Sequence, residues 1–348
     1  MLNNRVLSNL TTITPLKYRL LSILAIITSI GAYFMLLLGA AVTKTASGQG
    51  CGNSWPFCHG QLIPESVSIA TVYEYSHRIM SGADGFLIFA LTVISWLMYR
   101  RDFRVKLFGF MSLFFVVLQA ILGALTVVYE GTYAKDGLLS LHFGFSLISF
   151  ASVILLTMRI MQLKHVVPGA PERTAQQIAP ISKGMQIIVW LLAAYTYVVV
   201  YTGALVRHSS ATLACGQQFP TCGATYFPNI FTAAGIQVMH RYAAGSIWFL
   251  LLALMVVMIR VARDRRDLIW GSLWAFVLVS LQALSGMATV LSGAQLLVSL
   301  LHTTIIAVLF SVLCYLCVQV EWPWRRHVVD QSPVVVNTSS NELLHETV

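Results

Sequence analysis

Four histidines that recur as two pairs are the residues of this chain best suited to chemistry. His77 and His240 each precede an arginine, and His142 and His302 each follow a leucine. Matched histidines lie about 160 positions apart, so the chain contains a tandem duplication. Two imidazoles that face each other in a helical bundle suit axial ligation of haem iron. The pattern therefore predicts two haem sites, one in each copy.

The alternatives to haem explain these histidines less well. A single intramembrane histidine often makes only a hydrogen bond between helices, but a repeated pair at matching positions favours ligation. Zinc or copper would need more nitrogen, sulphur or carboxylate ligands than the repeats offer. We therefore interpret all four histidines as metal ligands.

Glu74 is the main chemical difference between the copies, because Gln237 stands at the matching position. Glu74 precedes His77 by three residues and shares its helical face if the helix starts early enough. A carboxylate there can accept a proton or hold a charged intermediate. The alternative is a charge favoured by the helix dipole. A di-iron site is set aside, because the spans contain almost no other carboxylate except Asp84.

In each copy one arginine directly follows the first histidine. Arg78 follows His77, and Arg241 follows His240. A guanidinium can hold a haem propionate through two hydrogen bonds. It can equally extend to the membrane surface while its stem stays in an apolar region. Both interpretations stay open at this stage.

A loop with two cysteines precedes each arginine motif. The pairs are Cys51/Cys58 and Cys215/Cys222. In an oxidising compartment such pairs favour disulfides within the loop. A structural role is the better interpretation for the second pair. A redox role stays open for the first, because that loop precedes Glu74 in the sequence, although such a role would require a strained or exposed bond.

Composition places these motifs in a membrane. The 348 residues are 57% hydrophobic and only 10% charged, whereas soluble domains are about 25% charged. Eight apolar stretches are long enough to cross a bilayer. They predict an all-α membrane protein with transmembrane helices near 20–42, 78–99, 107–128, 138–160, 185–206, 238–260, 269–291 and 297–319.

The net charge of +9 does not indicate nucleic acid, because most of the 22 basic residues lie in short segments on one side of the predicted membrane. The positive-inside rule then places both termini in the cytoplasm and the cysteine loops outside. The N-terminal segment has no small-residue cleavage site, so we expect helix 1 to remain as a span.

Each copy holds four helices, and an even number preserves direction. We therefore expect two tandem four-helix bundles related by a pseudo-two-fold axis along the membrane normal. The predicted parts are an N-terminal half at 1–160, a cytoplasmic linker at 161–184, a C-terminal half at 185–322 and a cytoplasmic tail at 323–348. This topology puts all four histidines near the outer face, with His77 and His240 at the outer ends of their helices.

Three pairs of glycines recur in register and predict close helix packing, which also suits a bundle that admits a flat macrocycle. They are Gly39 and Gly203, Gly82 and Gly245, and Gly123 and Gly286.

With these motifs the chain resembles the haem A synthase family, in its bacterial form with a cysteine pair in each of two outer loops. The resemblance runs from helix 1 to helix 8. It rests on Glu74-x-x-His77-Arg78, His142, His240-Arg241, His302 and the two cysteine loops.

The resemblance implies an oxidoreductase of a bacterial plasma membrane. It implies that one ring methyl of haem O becomes a formyl group, giving haem A for terminal oxidase biogenesis, by two successive hydroxylations and loss of water. It assigns Glu74, His77 and His142 to the catalytic site, and His240 and His302 to a haem b cofactor. Implied partners are a haem O synthase that delivers substrate, an electron donor and a second copy of the chain. Many members also carry an arginine where this chain has Thr43-Lys44, as its second copy does at Arg207.

Two other classes of protein share part of the pattern. A bis-histidine cytochrome b that carries electrons from quinol explains the four histidines, but not Glu74 or the cysteine loops. A transporter suits parallel repeats, but buried ligands at one depth argue against a translocation path.

Overall fold

A computed structural model describes residues 14–65, 67–129, 134–163, 181–219 and 221–324. Most of the predicted linker at 161–184 and of the predicted tail at 323–348 lies outside the described residues. The described part of the chain contains eight long helices, and all are long and apolar enough to cross a membrane. They are α1 (Pro15–Lys44), α2 (Ile69–Met98), α3 (Phe103–Val128), α4 (Ala134–Gln162), α5 (Lys183–His208), α6 (Ala233–Val261), α7 (Arg266–Leu291) and α8 (Leu296–Val320). The predicted all-α membrane fold is confirmed.

Two helices begin earlier than the apolar pattern predicts, and this corrects the position of two histidines. Ser68 caps α2 by accepting a hydrogen bond from the backbone N–H of Thr71. Thr232 caps α6 in the same way. These caps stabilise polar first turns that a search for apolar residues passes over. His77 and His240 therefore lie roughly two turns inside their helices, not at the helix ends.

The helices form two closed rings of four. In the first ring α1 contacts α2, α2 contacts α3, α3 contacts α4, and α4 contacts α1. Helices α5 to α8 repeat these contacts in the same order. Contacts between the rings join α4 with α8, α4 with α5, and α1 with α8. If each helix is replaced by its counterpart in the other half, these three contacts between the rings are unchanged. A pseudo-two-fold axis requires this symmetry.

A shared apolar cluster holds the two rings together. It includes Leu36 of α1, Leu147 and Phe150 of α4, Val200 of α5 and Phe310 of α8. Between helices in a membrane, van der Waals packing of such side chains is a main stabilising force. The interface therefore fixes the relation between the two sites.

The packed core of each ring lies away from the histidines. In α6, Gln237 and Val238 are buried, and the next buried residue is Ile247. His240 lies within that interval and is only half-buried. The stretch of α6 that carries His240 therefore packs less completely against its neighbours than the stretch from Ile247 onward.

Asp102, in the connection before α3, joins two helices on the basic side of the protein. One carboxylate oxygen accepts from the backbone N–H of Val105 at 2.9 Å. The other accepts from Nε and Nη2 of Arg159 at 3.0 and 2.5 Å. Burial by itself would raise the pKa of Asp102, but the hydrogen bonds from Arg159 and Val105 outweigh it and hold the pKa below 3.8.

We expect this carboxylate to stabilise the fold in a pH-dependent way. Because its pKa is lower in the folded protein, the stabilisation is present above pH 3.8 and disappears as the pH falls through the lower folded value. Asp102→Ala should cost about 1–2 kcal/mol through the lost cap alone. Thermal unfolding in detergent between pH 7 and pH 3 measures both effects. Equal acid sensitivity in wild type and Asp102→Asn would contradict the assignment.

Candidate active site

Each of the four histidine rings lies against a glycine of the preceding helix. A Cβ atom added to Gly39 of α1 would lie 2.9 Å from Cε1 of His77. A Cβ added to Gly203 of α5 would lie 2.8 Å from Cε1 of His240. These separations are shorter than real Cβ contacts, so a side chain at either glycine would displace the ring.

The second histidine of each half repeats this arrangement. A Cβ on Gly123 of α3 would lie 3.4 Å from Cε1 of His142. A Cβ on Gly286 of α7 would lie 3.1 Å from Cε1 of His302. The repeated glycines thus let the imidazoles approach the neighbouring helix backbone.

The third repeated pair of glycines does not serve close packing. A Cβ added to Gly82 or Gly245 would meet no atom within 4 Å among the described residues. The prediction of close packing is therefore wrong for these two positions and holds for the glycines beneath the histidines.

Within each half the two rings are near neighbours on different helices. His77 of α2 lies against α1 and His142 of α4 lies against α3, and His240 and His302 repeat this arrangement within the second ring of helices. All four rings are half-buried. The structure therefore brings together both predicted pairs, each across the interior of a four-helix ring.

The tautomer of His240 follows from its hydrogen bonds. Its Nδ1 lies 3.0 Å from Oγ1 of Thr202, and that hydroxyl donates its own proton to the carbonyl of Val199 at 2.7 Å. The hydroxyl must therefore accept from Nδ1–H. This leaves the lone pair on Nε2, the nitrogen available to a metal.

His302 has the same tautomer. Its Nδ1 lies 2.8 Å from Oγ of Ser285, which donates to the carbonyl of Gln282 at 3.0 Å. The side-chain amide of Gln282 donates to Nε2 of His302 at 3.0 Å. This flexible amide must turn away for Nε2 to bind a metal.

The first half is different. Nδ1 of His142 lies 2.8 Å from the backbone carbonyl of Gln119, and a carbonyl can only accept, so Nε2 again carries the lone pair. Nδ1 of His77 is buried and makes no hydrogen bond of normal geometry within the described residues. His77 is therefore the least constrained of the four rings.

Glu74 is buried and tethers the first cysteine loop. Its Oε2 accepts from the backbone N–H of Cys51 at 2.9 Å, and its Oε1 accepts from Nη2 of Arg78 at 2.5 Å. The early start of α2 places Glu74 and His77 on one helical face, as the sequence prediction requires.

Gln237 makes the matching tether in the second half. Its Oε1 accepts from the backbone N–H of Cys215 at 2.8 Å, and its Nε2 donates to the carbonyl of Thr212 at 2.8 Å. A neutral amide is therefore sufficient to hold the loop. The negative charge of Glu74 is not needed for that structural role.

The two arginines also contact the loops, a role that neither sequence interpretation included. Nη1 of Arg78 donates to the carbonyls of Ser54 and Phe57 at 2.7 and 2.8 Å. Nη1 of Arg241 donates to the carbonyl of Gln218 at 2.6 Å. Each loop is thus held to the helix turn that carries the first histidine.

Both predicted disulfides are present, Cys51–Cys58 and Cys215–Cys222. All four cysteines are buried. Each disulfide closes a compact loop that is pinned to the following helix by Glu74 or Gln237. The two loops are therefore held against the corresponding helices of the two halves in the same way.

Arg207 of α5 crosses between the halves, which sequence reasoning missed. Its Nη2 donates to the backbone carbonyl of Ala40 in α1. Its Nε is buried and makes no hydrogen bond within the described residues. Its position in the repeat, opposite Thr43, was the one available signal, and spacing alone did not show the crossing.

The two histidine nitrogens of each half suit an iron ion that is already bound within a macrocycle. Within the ranges the structure describes, no three histidine, cysteine or acidic side chains converge to form a metal site by themselves. Each half instead offers two nitrogen ligands, which is the number that a haem iron requires from a protein when both axial positions are filled.

The chain was compared with known proteins. Residues 22–314 match the COX15-CtaA family model, described as cytochrome oxidase assembly protein. A heme A synthase of Bacillus mycoides (strain KBAB4) is 42% identical over 298 residues, covering 86% of this chain and 92% of that protein. A heme A synthase of Bacillus cereus (strain AH187) is 41% identical over the same shares. The chain therefore belongs to the COX15-CtaA family of cytochrome oxidase assembly proteins.

Proposed function

We propose that this membrane oxidoreductase is a haem A synthase, which oxidises one ring methyl of haem O to a formyl group. The observation that carries the proposal is the pair of facing histidines beside a buried carboxylate, within a chain of this family. The names of its relatives support the same activity. Haem O is then the substrate and haem A the product.

The second half supplies the better site for a resident haem b. Thr202 and Ser285 orient His240 and His302 so that their Nε2 atoms carry the lone pairs. When bound there, haem b supplies one-electron transfer. The protein contributes the two ligands, their fixed orientation and a bundle that excludes water.

The first half is proposed to hold the substrate between His77 and His142. Two successive two-electron hydroxylations of one methyl carbon would give a geminal diol, and loss of water from the diol would leave the formyl group. An oxidant supplied from outside the chain would take up the four electrons. Glu74 and Gln237 hold the two loops at matching positions, and of these two residues only Glu74 carries a charge. It can accept a proton from the reacting group or stabilise positive charge as it develops there.

Arg78 and Arg241 are proposed to pair with haem propionates in addition to holding the loops. Each guanidinium has five N–H donors, and the contacts to loop carbonyls leave others for a carboxylate. The disulfides are proposed to keep these loops closed over the sites. Burial of all four sulphur-bearing residues favours this structural role over a redox role for Cys51–Cys58.

The proposed orientation follows the distribution of basic residues. Both termini lie in the cytoplasm, and the cysteine loops lie outside. A fluorescent protein fused to the C-terminus tests this, because it matures in the cytoplasm and fails to do so when exported. We further propose delivery of substrate by a haem O synthase, an external electron donor and a homo-oligomeric assembly, each testable by co-purification.

The activity is tested in a bacterial strain that makes haem O and lacks its own enzyme for haem A. Expression of this chain should yield a formyl haem among the extracted pigments, identified by its mass and by the spectrum of its pyridine complex. A haem-loaded protein that leaves haem O unchanged would instead indicate a cytochrome b that only carries electrons.

The glycines beneath the histidines give a second test. Gly39→Ala or Gly203→Ala places a methyl group less than 3 Å from an imidazole carbon, so the ring must move. We expect haem affinity at the affected site to fall by about tenfold or more. Gly82→Ala and Gly245→Ala are the matched controls, because no described atom obstructs them. Equal losses in all four variants, measured by haem titration, would contradict the account.

A further inference from the structure

The residue before each histidine-contacting glycine differs systematically between the halves. In the second half these residues are Thr202 and Ser285. In the first half the matching residues are Leu38 and Leu122. A hydroxyl is therefore available beside both imidazoles of one site and beside neither imidazole of the other.

The hydroxyls determine how firmly the rings of the second half are held. Thr202 and Ser285 each accept from the Nδ1–H of a histidine and donate onward to a backbone carbonyl. The direction of both hydrogen bonds is thus fixed. A ring held in this way cannot rotate about its Cβ–Cγ bond without breaking the chain of bonds, so Nε2 stays in place.

The first half compensates for only one of its missing hydroxyls. His142 donates directly to the carbonyl of Gln119 at 2.8 Å. The matching carbonyl for His77 is that of Met35, four residues before Gly39, but Nδ1 of His77 makes no hydrogen bond of normal geometry within the described residues. Leu38 offers no alternative acceptor.

We infer that His77 is the exchangeable axial ligand of the first half, and that Leu38 is the residue that leaves it exchangeable. This rests on the proposed function, which places a haem between His77 and His142. If His77 released a bound haem, the electron pair would stay on its Nε2 and the haem would be free to take up a small neutral diatomic molecule in its place. In the second half, Thr202 and Ser285 would hold both imidazoles in position.

The inference deepens the proposed division between the halves. An oxidation at the haem periphery that uses the iron requires an open coordination position, whereas a site that only transfers electrons does not. Hydrogen-bond partners of ligating histidines typically change metal affinity by about 10–100-fold. A leucine in place of a hydroxyl at position 38 therefore suffices to separate the sites.

The test measures carbon monoxide binding to each half separately. The full chain carrying His240→Ala and His302→Ala is loaded with haem b in its first half, and the chain carrying His77→Ala and His142→Ala in its second half. After reduction, the first-half site should bind carbon monoxide at least about tenfold more tightly than the second-half site. Similar affinities would overturn the inference.

Substitutions then assign the effect to single residues. Leu38→Thr restores the hydroxyl and should weaken carbon monoxide binding by on the order of tenfold. Leu38→Val, which adds the branch without the hydroxyl, and Leu122→Ser, which changes the other leucine, should leave it unchanged. If Leu122→Ser weakens binding as much as Leu38→Thr does, His142 is the exchangeable ligand and the inference fails.

A substitution in the second half tests the same role of the hydroxyl if the Leu38→Thr variant does not bind haem. Thr202→Val removes the hydroxyl beside His240 and should raise carbon monoxide affinity of the second-half site by about tenfold. It should also shift its ferric spectrum towards the high-spin form. No change in either readout would overturn the role of the hydroxyl. Because haem b serves as the probe in both halves, these results stand apart from whether haem A is formed.

Discussion

Glu74→Gln should lower haem A formation by about 10²–10⁴-fold, the usual contribution of a positioned proton acceptor, while the outer loop stays folded. The structure makes this variant unusually informative. Gln237 already holds the second loop through the backbone N–H of Cys215 at 2.8 Å, so a glutamine at position 74 can hold Cys51 in the same way. Arg78 keeps its bonds to the carbonyls of Ser54 and Phe57.

The measurement is the ratio of haem A to haem O in pigments extracted from cells with equal amounts of protein. Gln237→Glu is the matched control, because it places a carboxylate at the second tether. It should leave both haem A formation and haem b content unchanged. Full haem A formation by Glu74→Gln would show that the carboxylate acts only as a loop tether and would remove it from the catalytic site.

Replacing both histidines of the second half, His240→Ala with His302→Ala, should remove one haem from each chain and stop turnover. In the proposed site each ring supplies one ligand, and its hydrogen bond to Thr202 or Ser285 serves only to orient it. Loss of both ligands should lower haem affinity at this site by several orders of magnitude, since loss of a hydrogen-bond partner of a ligand alone costs about 10–100-fold. The haem-to-protein ratio of the purified variant measures the first effect.

A histidine outside the pairs provides the control for that variant. His59 lies in the first loop, where its Nε2 is 3.0 Å from the carbonyl of Gly50. His59→Ala should retain the haem content of the wild type. Two haems per chain in the His240→Ala, His302→Ala variant would mean that the second site uses other ligands.

Much of the fold follows from features that are visible in the sequence. Eight apolar stretches become eight helices because each is long enough to satisfy its own backbone hydrogen bonds within a membrane. The repeated histidines fall on matching faces because the whole unit is duplicated. Glu74 and His77 share a face because three residues nearly complete one helical turn. The pairing of cysteines follows from their seven-residue separation in both loops.

The features of the fold that could not be predicted depend on a capping residue outside the apolar pattern or on contacts between distant segments. The start of α2 is set by the cap at Ser68, which lies outside the apolar pattern. The bonds from Arg78 to loop carbonyls depend on the fold of the loop, and the reach of Arg207 to Ala40 depends on how the halves pack. Aligning the two repeats is enough to show that Leu38 stands opposite Thr202. The effect of this difference on the histidines follows only from the structure, in which Nδ1 of His240 lies 3.0 Å from the hydroxyl of Thr202.

The two halves are proposed to differ in function, with substrate bound in the first and haem b in the second. Mass spectrometry of the haems bound to two purified variants distinguishes the two sites. The chain with His240→Ala and His302→Ala should carry haem O and no haem b. The chain with His77→Ala and His142→Ala should carry haem b alone. The same mixture of haems on both variants would contradict the division.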